Sequence, residues 1–388
     1  MAYYYKVQIQ RNLLRERLIR NADSAIQLLL ASATETDTLQ TSDLYGKGED
    51  SVTVRKGNWG MFEVANVRAF SHRDTVHRTL MSGAVADSLW SAALYLLDQG
   101  RPITLAGSTL IKGTAYLPEA GPKRGWVDAK NYDKEKLVYG DIKKSSNRMP
   151  SLREERLKRL ALQVDYNKAA FQYTEDALQT DSLIAPFDRP CMQIGSKGKP
   201  LSIGNIILKG NILLVSDTLI LVSAQAKLQN VLLSAPAIKF EAGFQGKVQA
   251  FATDSILTGE NCQFQYPSSL VLLEMDSSEN KPRLVLEKGS LLQGIAMVYV
   301  TFLDRSMATL AVRKGAEVQG QIYSDGLMQM EGTLFGTLVC SKLLLSLPSG
   351  IYENHLLDCT IDRSKLSPYF LGSSLFPFKR KGIVQWLE

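Results

Sequence analysis

Apolar residues over the first thirty positions recur at helical spacing. Leu14, Leu18, Ala22, Ala25 and Leu29 fall on one side, Arg and Glu lie between them, and neither Pro nor Gly intervenes. This periodicity predicts one amphipathic helix over residues 4–33. After the polar run 34–43 the pattern changes. Segments 51–55, 59–70 and 75–81 are rich in Val, Phe and Thr and are separated by Gly, Asn, His and Asp, which predicts an antiparallel meander. A second helix is predicted over 84–97, where Val85, Leu89, Ala92, Ala93 and Leu96 share a face and Gly100 follows as a stop.

From residue 103 onward a short motif takes over: an apolar residue, a second residue that is polar in every copy but one, then a glycine or asparagine. It first stands as Ile111-Lys112-Gly113-Thr114. It returns as Leu208-Lys209-Gly210-Asn211, Leu228-Gln229-Asn230-Val231 and Phe244-Gln245-Gly246-Lys247, then as Leu292-Gln293-Gly294-Ile295, Val318-Gln319-Gly320-Gln321 and Leu334-Phe335-Gly336-Thr337. From 208 to 334 the steps between motifs are 20, 16, 48, 26 and 16 residues. The long step holds a further candidate rung at 264–273 and an insertion around 276–281. Repetition with variable spacing predicts a β-solenoid whose loops vary while its core strands do not. Each rung carries unpaired backbone groups and an apolar inner face, and only a neighbouring rung about 4.8 Å away satisfies both. An antiparallel sandwich also has short strands with glycine turns, but it has no reason to repeat a motif.

The expected fold is therefore mainly β: a parallel β-helix or solenoid with a long N-terminal helix, a small α+β region and a helical insertion. The expected organisation is a stem helix at 1–35, a strand-rich α+β region at 36–100, a first rung at 101–120, a basic and partly helical insertion at 121–198, the main solenoid at 199–350, and a capping or docking tail at 351–388. Within the insertion, 137–142 reads as a strand and 168–178 as a short helical piece. Residues 151–163 read as a helix with Ser151 as N-cap and Glu154 at the capping-box position.

Charge and composition narrow the functional classes. The chain has 388 residues, 45% hydrophobic and 22% charged, with a net charge of +6, which is ordinary globular composition. Residues 121–160 hold twelve Lys or Arg against six Asp or Glu, so the whole excess sits in one stretch. Its Lys143, Lys144, Arg153, Arg156 and Arg159, with Phe376, Phe378, Lys379, Arg380 and Trp386 of the tail, form the candidate interaction surface. Solvated loop and helix surface is the plainer reading of the basic stretch, and packing against the body the plainer reading of the tail. No run reaches the ~20 apolar residues that span a bilayer. Tyr3, Tyr4 and Tyr5 ahead of Lys6, Arg11, Arg15, Arg17 and Arg20 nevertheless have the look of the water-side end of a membrane helix, and a segment upstream of Met1 is a candidate anchor.

Catalytic patterns are weak. The four cysteines, Cys191, Cys262, Cys340 and Cys359, are far apart and form no CxxC; His72 and His77 lie five apart; and no phosphate-binding loop, G-x-S-x-G or H-E-x-x-H is present. No cofactor or metal is expected. Carboxylates beside basic groups at Asp304, Arg305, Arg313, Lys314 and Asp325 are the candidates for polysaccharide-cleaving chemistry on a lateral face.

The Ile-Lys-Gly, Leu-Lys-Gly and Val-Gln-Gly elements, over 110–117 and 205–340, resemble those of bactofilins and related polymer-forming β-helices. That resemblance implies a non-catalytic scaffold. Bactofilins, however, are short and have little outside the helix. The helix at 4–33 followed by strands resembles the stem of pilin-like or membrane-anchored envelope proteins, without a prepilin cleavage motif. Together these point to a structural or interaction protein of the bacterial cell envelope, membrane-associated in preference to cytoplasmic. Its expected partner is another protein or a second copy, nucleic acid is disfavoured, and a polysaccharide-binding or polysaccharide-cleaving β-helix is the alternative.

Overall fold

The computed structural model describes residues 2–32, 39–46, 48, 50–72, 74–166, 171–274, 281–301 and 308–387. The protein is mainly β, with two α-helices among these residues and many parallel strands. Helix α1 (Ala2–Ala31) leads into strands β1 (Leu39–Ser42), β2 (Ser51–Trp59), β3 (Phe62–Ser71) and β4 (Asp74–Ala86), paired antiparallel in sequence order. The C-terminal strand Phe378–Leu387 joins as a fifth, antiparallel to β4. Residues 87–377 are thus inserted between two neighbouring strands of one sheet.

Strand alternation gives this sheet two apolar faces. On one, Val52, Ala65, Val67, Ala69 and Leu80 pack under Leu18, Ala22, Ala25, Ile26 and Leu29 of α1. On the other, Phe62, Val64 and Met81 meet the inserted body. The first half of α1 has no such cover, and Tyr3, Tyr4, Tyr5, Ile9 and Leu13 are exposed.

In the inserted body the chain coils, and successive passes pair in parallel. Strand Lys227–Phe240 lies on Ile207–Ser216 through its first part and on Leu219–Val222 through its last. Its register shifts at Gln229/Val231 and at Ala235/Ala237, so one strand bends twice and serves three faces. Gln245–Thr258, Gln263–Glu274, Leu291–Val300, Glu317–Met330 and Thr333–Leu347 continue the ladders on three faces. Parallel pairing is what the repeated motif predicts, and it excludes the antiparallel sandwich. Leu208, Leu228, Phe264, Leu292, Val318 and Leu334 stack inward, each wholly or almost wholly buried, and full burial of such a side chain contributes about 1.5–3 kcal/mol.

The expected first rung lies elsewhere. Leu110–Lys112 pairs with Thr360–Asp362, which pairs with Thr333 and Leu334; Leu94–Leu96 pairs with Leu338–Cys340. Ala115–Leu117 and Ile142–Lys144 follow beyond them. Strands earliest in sequence therefore close the end of the stack that the latest strands reach. At the opposite end, Tyr173–Thr174 and Ser182–Ala185 precede Ile207–Ser216, so the ladder begins before residue 201. The chain crosses from one end to the other through helix α2 (Glu154–Gln163), whose Leu157 and Leu160 pack against Leu213, Leu232 and Phe251, residues that mark the second face of the coil.

Other expectations shift for local reasons. Residues 84–97 are not helical: β4 runs to Ala86 because Phe378 and Arg380 pair with Ala86 and Val85. The Asp87 carboxylate then accepts from the N–H of Leu89 and Trp90 at 3.1 and 3.2 Å and turns the chain. Helix α2 begins at Glu154, after Arg153, without a side-chain cap, so Ser151 is not its N-cap. In 137–142 the parallel contacts are a bridge at Tyr139 and the strand Ile142–Lys144. Of 168–178, the helical part is a 3₁₀ turn at Glu175–Gln179, and 168–170 lie outside the described residues, as do 276–280 of the expected insertion.

Candidate interaction surface

The sheet sits on the second face of the coil by way of the β2–β3 hairpin. That hairpin turns at Gly60 and Met61, and its backbone groups are taken up by side chains from two other elements. Gln249, from the coil, accepts from Met61 N at 2.7 Å and donates through Nε2 to Trp59 O at 3.2 Å. Gln163, at the end of α2, accepts from Gly60 N at 3.0 Å and donates to Asn58 O at 2.9 Å. Arg156 donates through Nη2 to Gly60 O at 2.8 Å and to Phe62 O at 2.6 Å, and is only 2% exposed. Buried backbone groups must find partners. Here the sheet, α2 and the coil supply them to one another, which fixes their mutual position.

Beside this turn lies a buried charge cluster. The Glu63 carboxylate is 3.0 Å from Lys56 Nζ and 2.9 Å from Lys381 Nζ, and Ser374 Oγ donates to it at 3.2 Å. Burial alone would raise the Glu63 carboxyl. The charges of Lys381 and Lys56 and the Lys381 hydrogen bond outweigh it and hold the group at about 2. Burial is the largest influence on Lys381 and lowers its ammonium to about 8, opposed by Glu63 and reinforced by Lys56. Two ammonium groups share one carboxylate, so Glu63 is the member whose loss leaves charge uncompensated.

Next to the cluster a groove of about 650 Å³ opens between the end of α1, at Leu30–Ser32, the start of α2 at Arg153, and residues 377–381. Arg153, Lys379, Arg380 and Lys381 line it together with Phe378, and no carboxylate is among its described lining residues. The Arg153 guanidinium lies 4.8 Å from the Phe378 ring centroid and donates to Ser374 O at 3.3 Å, which fixes its place on the wall. A register shift between Phe378 and Arg380 makes Lys379 the extra residue of a β-bulge. Bulges re-aim side chains, and this one accounts for consecutive residues lining one groove.

No protein-family model matches the chain, and no curated protein matches it. Among solved structures, the competence-associated pilin ComZ from Thermus thermophilus is similar over 92% of this chain and 87% of its own, at 12% identity and a TM-score of 0.25. A likeness that slight carries no argument.

Of the ten residues expected at an interaction surface, the fold gathers Arg153, Phe378, Lys379 and Arg380 into the groove. Arg156 and Phe376 are buried and belong to the seam. Lys143 stands 5.6 Å from the Tyr116 ring centroid and Lys144 pairs with Glu119, both at the far end of the stack. Arg159 lies on α2, and Trp386 is 54% exposed beside Arg78. Sequence reasoning missed Gln163, Gln249 and Glu63. A glutamate alternating with Phe62 and Val64 in an apolar strand was the available signal for the last.

The lateral face expected to carry chemistry holds a second groove of about 810 Å³, lined by Asp254, Arg283, Thr309, Arg313 and Gln329 among others. Along it Ala237, Ser255, Arg283, Thr309 and Leu327 form one outward row across five passes. Asp325 is 2% exposed, so it does not line this groove, and Arg313 pairs with Glu331 at 3.2 Å. Lys314 is exposed in a turn. Asp304 and Arg305 lie outside the described residues. Asp254 is the one carboxylate among the described lining residues. The thiols are raised above their ordinary value chiefly by burial, Cys191 to about 11 and Cys359 to about 12, so neither supplies a thiolate nucleophile. Among the described residues no three His, Cys, Asp or Glu are grouped so as to hold a metal ion, and no helix is long and apolar enough to cross a membrane.

Proposed function

We propose that this chain is a non-enzymatic scaffold: a β-solenoid carried on a helix–sheet unit and attached through the first half of α1 to a partner helix in an assembly of the bacterial cell envelope. The observation that carries this reading is the division of α1. Its second half is buried against the sheet, while Tyr3, Tyr4, Tyr5, Ile9 and Leu13 are 55–80% exposed on a helix that extends past the body. Exposed apolar and aromatic residues on one continuous helix are the usual anchors of helix docking. Both ends of the inserted body are fixed to one sheet, so the coil is presented as a single rigid element.

Ile9→Asp combined with Leu13→Asp tests the attachment. Removing two apolar contacts of this size should lower retention in the envelope fraction of expressing bacterial cells about ten-fold or more, with the thermal midpoint unchanged because neither side chain is buried. Undiminished retention of the double variant contradicts the reading. The lateral groove favours a second reading, polysaccharide binding, in which the row of Ser255, Arg283 and Thr309 tracks an extended chain across successive passes. A single carboxylate among the groove's described lining residues suits binding better than two-carboxylate cleavage.

A further inference from the structure

We propose that the groove between the end of α1, Arg153 and residues 377–381 is a binding site for a phosphate-type oxyanion, most favourably one of multiple charge such as a pyrophosphate group. Three independent features converge there. The described lining is cationic without a carboxylate. Arg153 is placed by its contacts with Phe378 and the Ser374 carbonyl, and so presents a guanidinium in fixed orientation. The bulge at Lys379 sets neighbouring cationic residues around one concavity.

Two plainer explanations account for less. Lysines on an edge strand deter pairing with other chains, and Phe378–Leu387 is an edge of its sheet. That purpose requires neither a concavity nor an arginine from a different element. Basic residues also complement the carbonyl end of a helix such as α1, but that end carries only about half a negative charge. Lys379 and Arg380 make no ion pair with any described residue and stand exposed, so two full charges are directed at the groove and left for a ligand. A lipid headgroup is a poor source. The groove lies at the end of α1 remote from Tyr3, and some 27 residues at 1.5 Å each separate them by about 40 Å. The phosphate is therefore one dissolved in the surrounding medium or borne by a soluble partner. The exclusion of a lipid headgroup rests on the proposed attachment through the first half of α1; the oxyanion site itself does not.

Isothermal titration of the full chain with inorganic pyrophosphate, at constant ionic strength, tests it. The expected result is saturable one-to-one binding, weakened about ten-fold or more in Lys379→Ala/Arg380→Ala. The basic pair at the far end of the stack provides the control: Lys143→Ala/Lys144→Ala should bind as wild type does. Circular dichroism of both variants should superimpose on wild type, since all four side chains are exposed. Absence of saturable binding by wild type overturns the proposal. So does an equal loss in both double variants, which would mark the attraction as that of general basicity.

Discussion

Gly320→Ala should destabilise the coil by about 3–5 kcal/mol and sharply reduce soluble folded protein. Gly294, Gly320 and Gly336 stand in register on successive passes. At Gly320 φ is +153°, and a Cβ would lie 1.9 Å from the carbonyl oxygen of Gly294. At Gly336 a Cβ would lie 1.8 Å from the Gly320 oxygen. Backbone strain of about 1–3 kcal/mol is then joined by overpacking of similar size against main chain that cannot give way. Gly243→Ala separates the two effects. Its φ is +83° but a Cβ there meets nothing within 4 Å, so only a left-handed penalty of about 1–2 kcal/mol is expected. Denaturant midpoints of the two variants decide the matter, and equal losses would remove close approach as the reason for the repeated glycine.

Replacing the shared carboxylate should have the next largest effect. Glu63→Gln keeps the shape but removes the carboxylate between Lys56 and Lys381 and leaves buried Lys381 without it, which should cost about 3 kcal/mol at neutral pH. The pH dependence has a definite sign. With Glu63 at about 2 in the folded chain against an ordinary 4.5, the unfolded state binds more protons between those values. The carboxylate's contribution is thus complete above about 4.5 and fades as pH falls through 2. Urea midpoints of wild type and Glu63→Gln should differ most near neutrality and converge toward pH 2. A constant difference across that range would mean that the Glu63 charge is not what stabilises the cluster.

Much of the architecture was legible because its cause is local and repeated. Asparagine replaces glycine in one motif, where Asn230 has φ +57°, a conformation that Asn tolerates better than other side chains. Helix α1 was legible from the spacing of Leu18, Ala22, Ala25 and Leu29. What misled was everything decided at long range. Val85, Leu89, Ala92, Ala93 and Leu96 have helical spacing, yet pairing with residues far along the chain, Arg380 for Val85 and Cys340 for Leu96, makes strand of both ends of that segment. The motif at Ile111 shows that a rung is present but carries nothing about its neighbour in the stack. Arg156, Gln163 and Gln249 look like ordinary surface residues in sequence, and only the hairpin carbonyls and amides between them explain their place. Of the groove, its basic strand was legible and its wall was not, because Arg153 is brought to Phe378 by the return of the C-terminal strand to β4.

The order of the stack is the claim on which the placement of every surface depends, and disulfide capture measures it. Leu110 and Thr360 are directly paired across neighbouring passes, at a separation of about 4.8 Å that a disulfide can bridge. Leu110→Cys/Thr360→Cys should form that bond on mild oxidation, identified by mass spectrometry of the linked peptides, while Leu110→Cys/Ile207→Cys should not. Linkage between positions 110 and 207, with none between 110 and 360, would place the early rung at the opposite end of the coil and contradict the architecture.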